Sequence, residues 1–258
     1  MSTEQPPAFI EVDDRAIAFR RRAGIEPGVV WLGGYRSDMK GTKAQALDEW
    51  CVHGGRAFLR HDYSGHGESG GRFEDGTISR WLAESLAVFR AHSSGRQILV
   101  GSSMGGWIAL RMVQELACAG EGARVAGLLL IAPAPDFTSE LVWPKLTDAQ
   151  KLDLQEKGWF SQSSEYSDDP YVYTRALFED AANNRILHGI IDTHCPVTIL
   201  QGMQDTSVPF THAQRLMEHL PADDVTLSLV RDGDHRLSRP QDLAMMLRAA
   251  QGLVDLAG

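Results

Sequence analysis

Gln97-Ile98-Leu99-Val100-Gly101-Ser102-Ser103-Met104-Gly105-Gly106-Trp107 is the stretch that decides the fold. Four residues of apolar strand character run straight into Gly-x-Ser-x-Gly, and Gly105 to Leu116 then carries a helical pattern. A strand that turns into a helix within one residue needs strained backbone at the turn and small neighbours beside it. Ser103 occupies the centre, where the helix N-terminus favours negative charge beside its hydroxyl. The plainer alternative is a glycine-rich turn with a capping serine.

Outward from this point, the same unit repeats. Phe9–Val12 and Ile17–Arg21 flank an Asp-Asp turn and predict an N-terminal hairpin. Val29–Leu32 and Ala57–Arg60 predict buried strands, with a helix over 42–52 between them. Ile78, Leu82, Ser85, Leu86 and Phe89 recur at helical spacing, and Val125–Ile131 predicts the strand after the Ser103 helix. The alternation resumes with strands at 196–200 and 225–230 and helices at 209–220 and 240–256. Such alternation implies a mainly parallel sheet with helices on both faces. Residues 135–190 break the rhythm. Helices are expected at 148–157 and 170–183, with no buried strand between them and with Trp143, Trp159, Phe160, Tyr171 and Tyr173 clustered around them. This predicts a helical cap insertion, 135–190, on a core of 1–134 and 191–258, placed over the sheet edge where open α/β sheets hold ligands. The aromatics there either line an apolar pocket or pack the cap onto the sheet.

Composition bounds the function. The chain has 258 residues, 43% of them hydrophobic, and 25 Lys+Arg against 34 Asp+Glu give a net charge of −9. That length supports one self-sufficient core, and the acidic balance gives no field for attracting nucleic acid or anionic lipid. Cys51, Cys118 and Cys195 are too scattered for a disulfide framework, which favours a reducing compartment. The longest apolar run, 125–134, is about half a bilayer span. Met1–Pro7 lacks the basic start and apolar run of a signal peptide, so a soluble, cytoplasmic protein is expected.

A strand-to-helix serine makes two further demands. An acid should follow a later strand and a histidine the last one, in the order Ser, acid, His. Asp205 lies in the loop after 196–200, and His235 follows 225–230. In that arrangement His235 takes the Ser103 proton as general base and Asp205 orients the imidazole. Asp234 is a weaker orienter, being adjacent to His235; with Asp232 and Gly233 it suits a turn. The oxyanion needs backbone donors, one from Met104 and a second from Tyr35 after Gly33-Gly34, although a plain turn would use the same glycines. Gly65-His66-Gly67-Glu68-Ser69-Gly70 matches a dinucleotide fingerprint, but no helix opens within its glycines. No zinc spacing or phosphate loop is present, so no cofactor and no metal is expected.

With these residues in place, the sequence resembles the α/β-hydrolase superfamily. It is similar in particular to the subgroup containing the mitochondrial palmitoyl-protein thioesterase and acyl-glucuronide esterase and its bacterial homologues. The resemblance rests on Gly34-Tyr35, Met39–Ala44, Asp62–Gly65, Gln97–Trp107, Lys157-Gly158, Gly202–Asp205 and Asp234–Arg236, and runs over roughly residues 10–255. It implies an α/β-hydrolase fold with an eight-stranded, mainly parallel sheet. It also implies Ser103 as nucleophile, Asp205 as acid, His235 as base and the amides of Tyr35 and Met104 as oxyanion donors. The implied substrate is a small-molecule ester or thioester, or an S-acylated protein. The insertion around Trp143-Pro144 is only loosely similar. A short-chain ester, a carbon–carbon bond or a peptide bond would suit the same three residues, and an inactive ligand-binding fold would require one of them to be damaged.

Overall fold

The computed structural model describes residues 6–162, 170–221 and 224–258; the Met1–Gln5 reading and part of the 135–190 insertion lie outside them. The chain opens with β1 (Ala8–Val12) and β2 (Arg15–Arg22), an antiparallel hairpin. Its two turn residues, Asp13 and Asp14, have φ of 46° and 61°, a left-handed pair that matches strand twist and that Asp tolerates. There follow β3 (Ile25–Leu32), α1 (Thr42–His53), β4 (Arg56–His61), α2 (Ile78–His92), β5 (Gln97–Ser102), α3 (Met104–Cys118) and β6 (Val125–Ile131).

After β6 comes the insertion, with α4 (Asp148–Glu156), β7 (Trp159–Gln162), β8 (Tyr171–Thr174) and α5 (Arg175–Asn183). The chain then closes through β9 (Val197–Gly202), α6 (Phe210–His219), β10 (Val225–Val230) and α7 (Pro240–Ala257). Eight strands form one sheet in the order β1-β2-β4-β3-β5-β6-β9-β10. Within this sheet, among the described residues, only the β1–β2 and β2–β4 pairings are antiparallel.

Every residue of β5 and β6 is buried, as expected of parallel strands covered on both faces. The strand alternation divides the core in two. Val30, Leu32, Leu99, Leu128 and Leu130 pack with α2, α3 and the insertion, including Phe160, Tyr173 and Leu177. Val29, Trp31, Ile98, Val100, Leu129 and Ile131 face α1 and α7, meeting Leu47, Cys51, Met246 and Leu253. These two layers fix the carboxyl ends of β3, β5 and β9, from which the site is built.

The insertion corrects one expectation. It is not purely helical: β7 and β8 pair antiparallel, Trp159 opposite Thr174 through Gln162 opposite Tyr171. The helix expected over 170–183 starts only at Arg175, capped by Thr174, whose side chain accepts from Leu177 N at 3.2 Å. Tyr-Val-Tyr-Thr is a run of strand formers, and burying Phe160 and Tyr173 on one face of a hairpin satisfies a period of two. Trp143 and Trp159, expected to be part of the aromatic cluster, are about half exposed.

Candidate active site

Ser103 sits between the last residue of β5 and the first of α3 with φ 56° and ψ −119°. A non-glycine residue held there stores roughly 1–3 kcal/mol of strain. The surrounding backbone holds it: Ser103 N donates to Ile131 O at 2.9 Å, and Ser103 O accepts from Gly106 N at 2.9 Å and Ala134 N at 3.1 Å. The flanking glycines have a steric reason. A Cβ on Gly101 would lie 2.4 Å from Gly105 O, and one on Gly105 would lie 2.1 Å from Leu32 O.

The loops after β9 and β10 meet in front of this turn. Gly202 permits the approach, since a Cβ there would stand 2.4 Å from Gly233 O, and Gln204 N donates to Gly233 O at 2.8 Å. Asp205 has a fully buried side chain. Its Oδ1 accepts from the amides of Ser207 (2.9 Å) and Val208 (2.8 Å). Its Oδ2 accepts from Gln201 Nε2 (3.1 Å) and from His235 Nδ1 (2.7 Å). With Nδ1 donating to Asp205, Nε2 is the acceptor nitrogen, and it lies 3.2 Å from Ser103 Oγ. The three side chains thus form one hydrogen-bonded relay. Asp234 serves its turn, accepting from Leu237 N at 3.0 Å. Asp232 lies in the expected turn, closed by Gly233 N donating to Val230 O at 3.1 Å, and its carboxylate also pairs with Arg239 at 2.8 Å; Arg239 in turn binds Asp242.

Gly33-Gly34-Tyr35 runs alongside. A Cβ on Gly34 would come within 3.3 Å of Ser103 Cβ, so the loop lies against the serine. Tyr63 Oη donates to Gly33 O at 3.1 Å, Ser37 N donates to Gly34 O at 3.1 Å, and Arg36 N donates to His66 Nε2 at 3.2 Å. The amide of Tyr35 is therefore held from both sides. Among the described residues, the amides of Tyr35 and Met104 donate to no protein acceptor, and both residues line the cavity at Ser103.

Sequence reasoning passed over His66. Its Nδ1 donates to Ser64 O at 3.1 Å, which leaves Nε2 to accept from Arg36, and burial pushes its pKa down to about 4. The signal was present in the glycine-rich stretch around it. Gly65 and Gly67 have φ of 73° and 46°, and a Cβ on Gly67 would collide with the Asp62 carboxylate at 2.1 Å. Those glycines let the loop fold tightly around Asp62, which accepts from Met39 N (2.6 Å) and Glu68 N (2.8 Å).

A cavity of about 710 Å³ opens onto Ser103 and His235. Its apolar lining comes from Phe137, Leu141, Val142, Tyr171, Tyr173 and Val208. Its polar lining includes Asp38, Thr42, Lys43, Lys145, Gln162, Arg236 and Ser238. The Lys43 ammonium donates to Arg236 O, and burial pushes its pKa down to about 8. Trp31 also lines the cavity, and its indole N–H is buried without a partner among the described residues. Among those residues no three His, Cys, Asp or Glu side chains are grouped to hold a metal ion, and no helix is long and apolar enough to cross a membrane.

Known proteins share this architecture. The alpha/beta hydrolase family model matches residues 43–246. The chain is 32% identical to the human mitochondrial palmitoyl-protein thioesterase ABHD10 over 240 residues, covering 93% of this chain and 76% of the relative. That relative's name places it in the mitochondrion, whereas the sequence reading of this chain expects the cytoplasm. Among solved structures, a protein from Agrobacterium vitis S4 superposes with a TM-score of 0.93 at 53% identity, covering 97% of this chain and all of that one. Mouse alpha/beta hydrolase domain-containing protein 10 gives 0.89 at 30% identity, with 98% of this chain and all of that one covered. The chain belongs to the alpha/beta hydrolase family.

Proposed function

We propose that this hydrolase cleaves carboxylic esters and thioesters through an acyl-enzyme on Ser103, with S-acylated protein among its substrates. The observation that carries the reading is the relay from Ser103 Oγ to His235 Nε2 and from His235 Nδ1 to Asp205. His235 removes the Ser103 proton as Oγ bonds to the carbonyl carbon, and the carbonyl π electrons move onto oxygen. The amides of Tyr35 and Met104 donate to that oxyanion. Collapse of the intermediate breaks the carbon–sulfur or carbon–oxygen bond, and the imidazolium gives its proton to the departing thiol or alcohol. Water then attacks the acyl-enzyme with His235 again as base, releasing the carboxylic acid and restoring Ser103.

The insertion, 135–190, acts as a cap on the core formed by 1–134 and 191–258. The apolar lining residues of the cavity, Phe137, Tyr171 and Tyr173 among them, suit an acyl chain. Similarity to a palmitoyl-protein thioesterase supports the choice of acyl substrate. The test is labelling with a fluorophosphonate, with the modified peptide located by mass spectrometry, alongside hydrolysis of short- and long-chain acyl thioesters. Label on Ser103 and thioester turnover are expected. A folded sample with no label on Ser103 overturns the reading.

A further inference from the structure

Tyr35 and Arg36 both reach from the loop at the serine to the insertion. Tyr35 Oη donates to Val172 O, and Arg36 Nη1 donates to Pro170 O at 2.9 Å. Val172 O leaves one edge of β8, and Pro170 immediately precedes the strand, so both bonds fasten the loop to the start of β8. The other edge of β8 is paired with β7. Two side-chain hydrogen bonds therefore hold the loop at the serine to the insertion's hairpin.

The rings add to this docking. Tyr35 stacks on Tyr173, with centroids 5.4 Å apart and planes 5° from parallel, and meets Tyr171 edge-on at 5.9 Å. From the core side, Phe73 meets Tyr35 at 4.9 Å, and the Arg36 guanidinium lies 4.6 Å from the Phe73 centroid. Tyr171 and Tyr173 also line the cavity at Ser103. An acyl chain seated there presses on the same strand that is fastened to the residue carrying an oxyanion amide.

We propose that Tyr35 and Arg36 are positioning residues that couple acyl-chain recognition by β8 to the placement of the Tyr35 amide. This rests on the reading of Ser103 as nucleophile. The consequence is that chain-length preference is expressed in kcat. Contacts with the non-reacting chain are converted into better oxyanion stabilisation, and ground-state affinity changes little.

The experiment compares p-nitrophenyl acetate with p-nitrophenyl octanoate for the wild type, Tyr35→Phe, Arg36→Met and the double variant. The wild type is expected to turn over the octanoate with the higher kcat. Each single variant removes one hydrogen bond to the insertion at or beside β8 and should lower octanoate kcat by about 3–10-fold, with KM moving less than about twofold. The octanoate-to-acetate ratio of kcat should narrow, and further in the double variant. Inhibition by an octyl trifluoromethyl ketone, which forms the tetrahedral adduct, should weaken in parallel. A change in KM alone, or an equal fall for both esters, overturns the coupling. Should Tyr35→Phe fail to fold, Arg36→Met carries the same comparison, because its hydrogen bond to Pro170 O is exposed. A wild type that hydrolyses neither ester overturns the reading of Ser103, and the coupling with it.

Discussion

The amide of Arg36 donates to Nε2 of His66 at 3.2 Å, so a buried neutral imidazole holds the residue next to the Tyr35 amide. Arg36 has φ 57°, and this acceptor helps fix that left-handed conformation. Only the unprotonated ring can accept at Nε2.

This leads to a pH dependence with a definite sign. Burial pushes both His66 and His61 down to about 4, from about 6.5 when solvated. Between those values the unfolded chain binds more protons than the folded one, so stability falls as pH falls. Thermal melts should show a steady Tm above about pH 6.5 and a decline from there to pH 4.5. His61→Gln should flatten that decline. A slope unchanged by that substitution would refute the assignment.

Removing the serine hydroxyl separates chemistry from folding. Ser103→Ala should lower turnover by about 10⁴–10⁶-fold, while Tm moves by no more than about 2 °C, since the backbone bonds at 103 remain. Steady-state hydrolysis together with calorimetry checks this. Retained turnover would remove Ser103 from the mechanism.

The two neighbouring acids should respond differently. Four donors converge on the Asp205 carboxylate, so Asp205→Asn turns an amide NH₂ toward other N–H groups. A loss of about 10³–10⁴ in kcat is expected, with a lower Tm. Asp234→Asn keeps an oxygen for Leu237 N and should change kcat by less than about threefold. Equal losses in the two variants would contradict the geometry.

The glycines of the turn are steric requirements. Gly105→Ala would place a methyl 2.1 Å from Leu32 O, a backbone atom that cannot rotate away. Expression of this variant should give little folded protein by circular dichroism. Gly120→Ala is a fair comparison with no atom within 4 Å, and its cost comes only from its φ of 75°. A Gly105→Ala variant as stable as wild type would mean the turn at Ser103 packs otherwise.

Much of this was legible along the chain. Fully buried parallel strands read as unbroken apolar runs, so β5 and β6 stand out, and the glycines around Ser103 mark the turn. Short half-buried strands carry weaker signals. Tyr171–Thr174 runs straight into the helical period of α5, and its strand character depends on pairing with β7. The glycines around His66 mark a tight loop, but the role of its ring was not legible, because its partner Arg36 lies 30 residues away.

Sequence order alone nominated Ser103, Asp205 and His235, because a strand–helix repeat puts the ends of its strands at one sheet edge. Only the tertiary structure decided that Asp205 meets the imidazole and that Nε2 points at Ser103, a contact spanning 132 residues. It also decided that Tyr35 and Arg36 hydrogen-bond to Val172 and Pro170 of the insertion. Local pattern records which face of an element is buried. Contacts between distant loops depend on how the layers stack and how closely glycine lets two backbones approach.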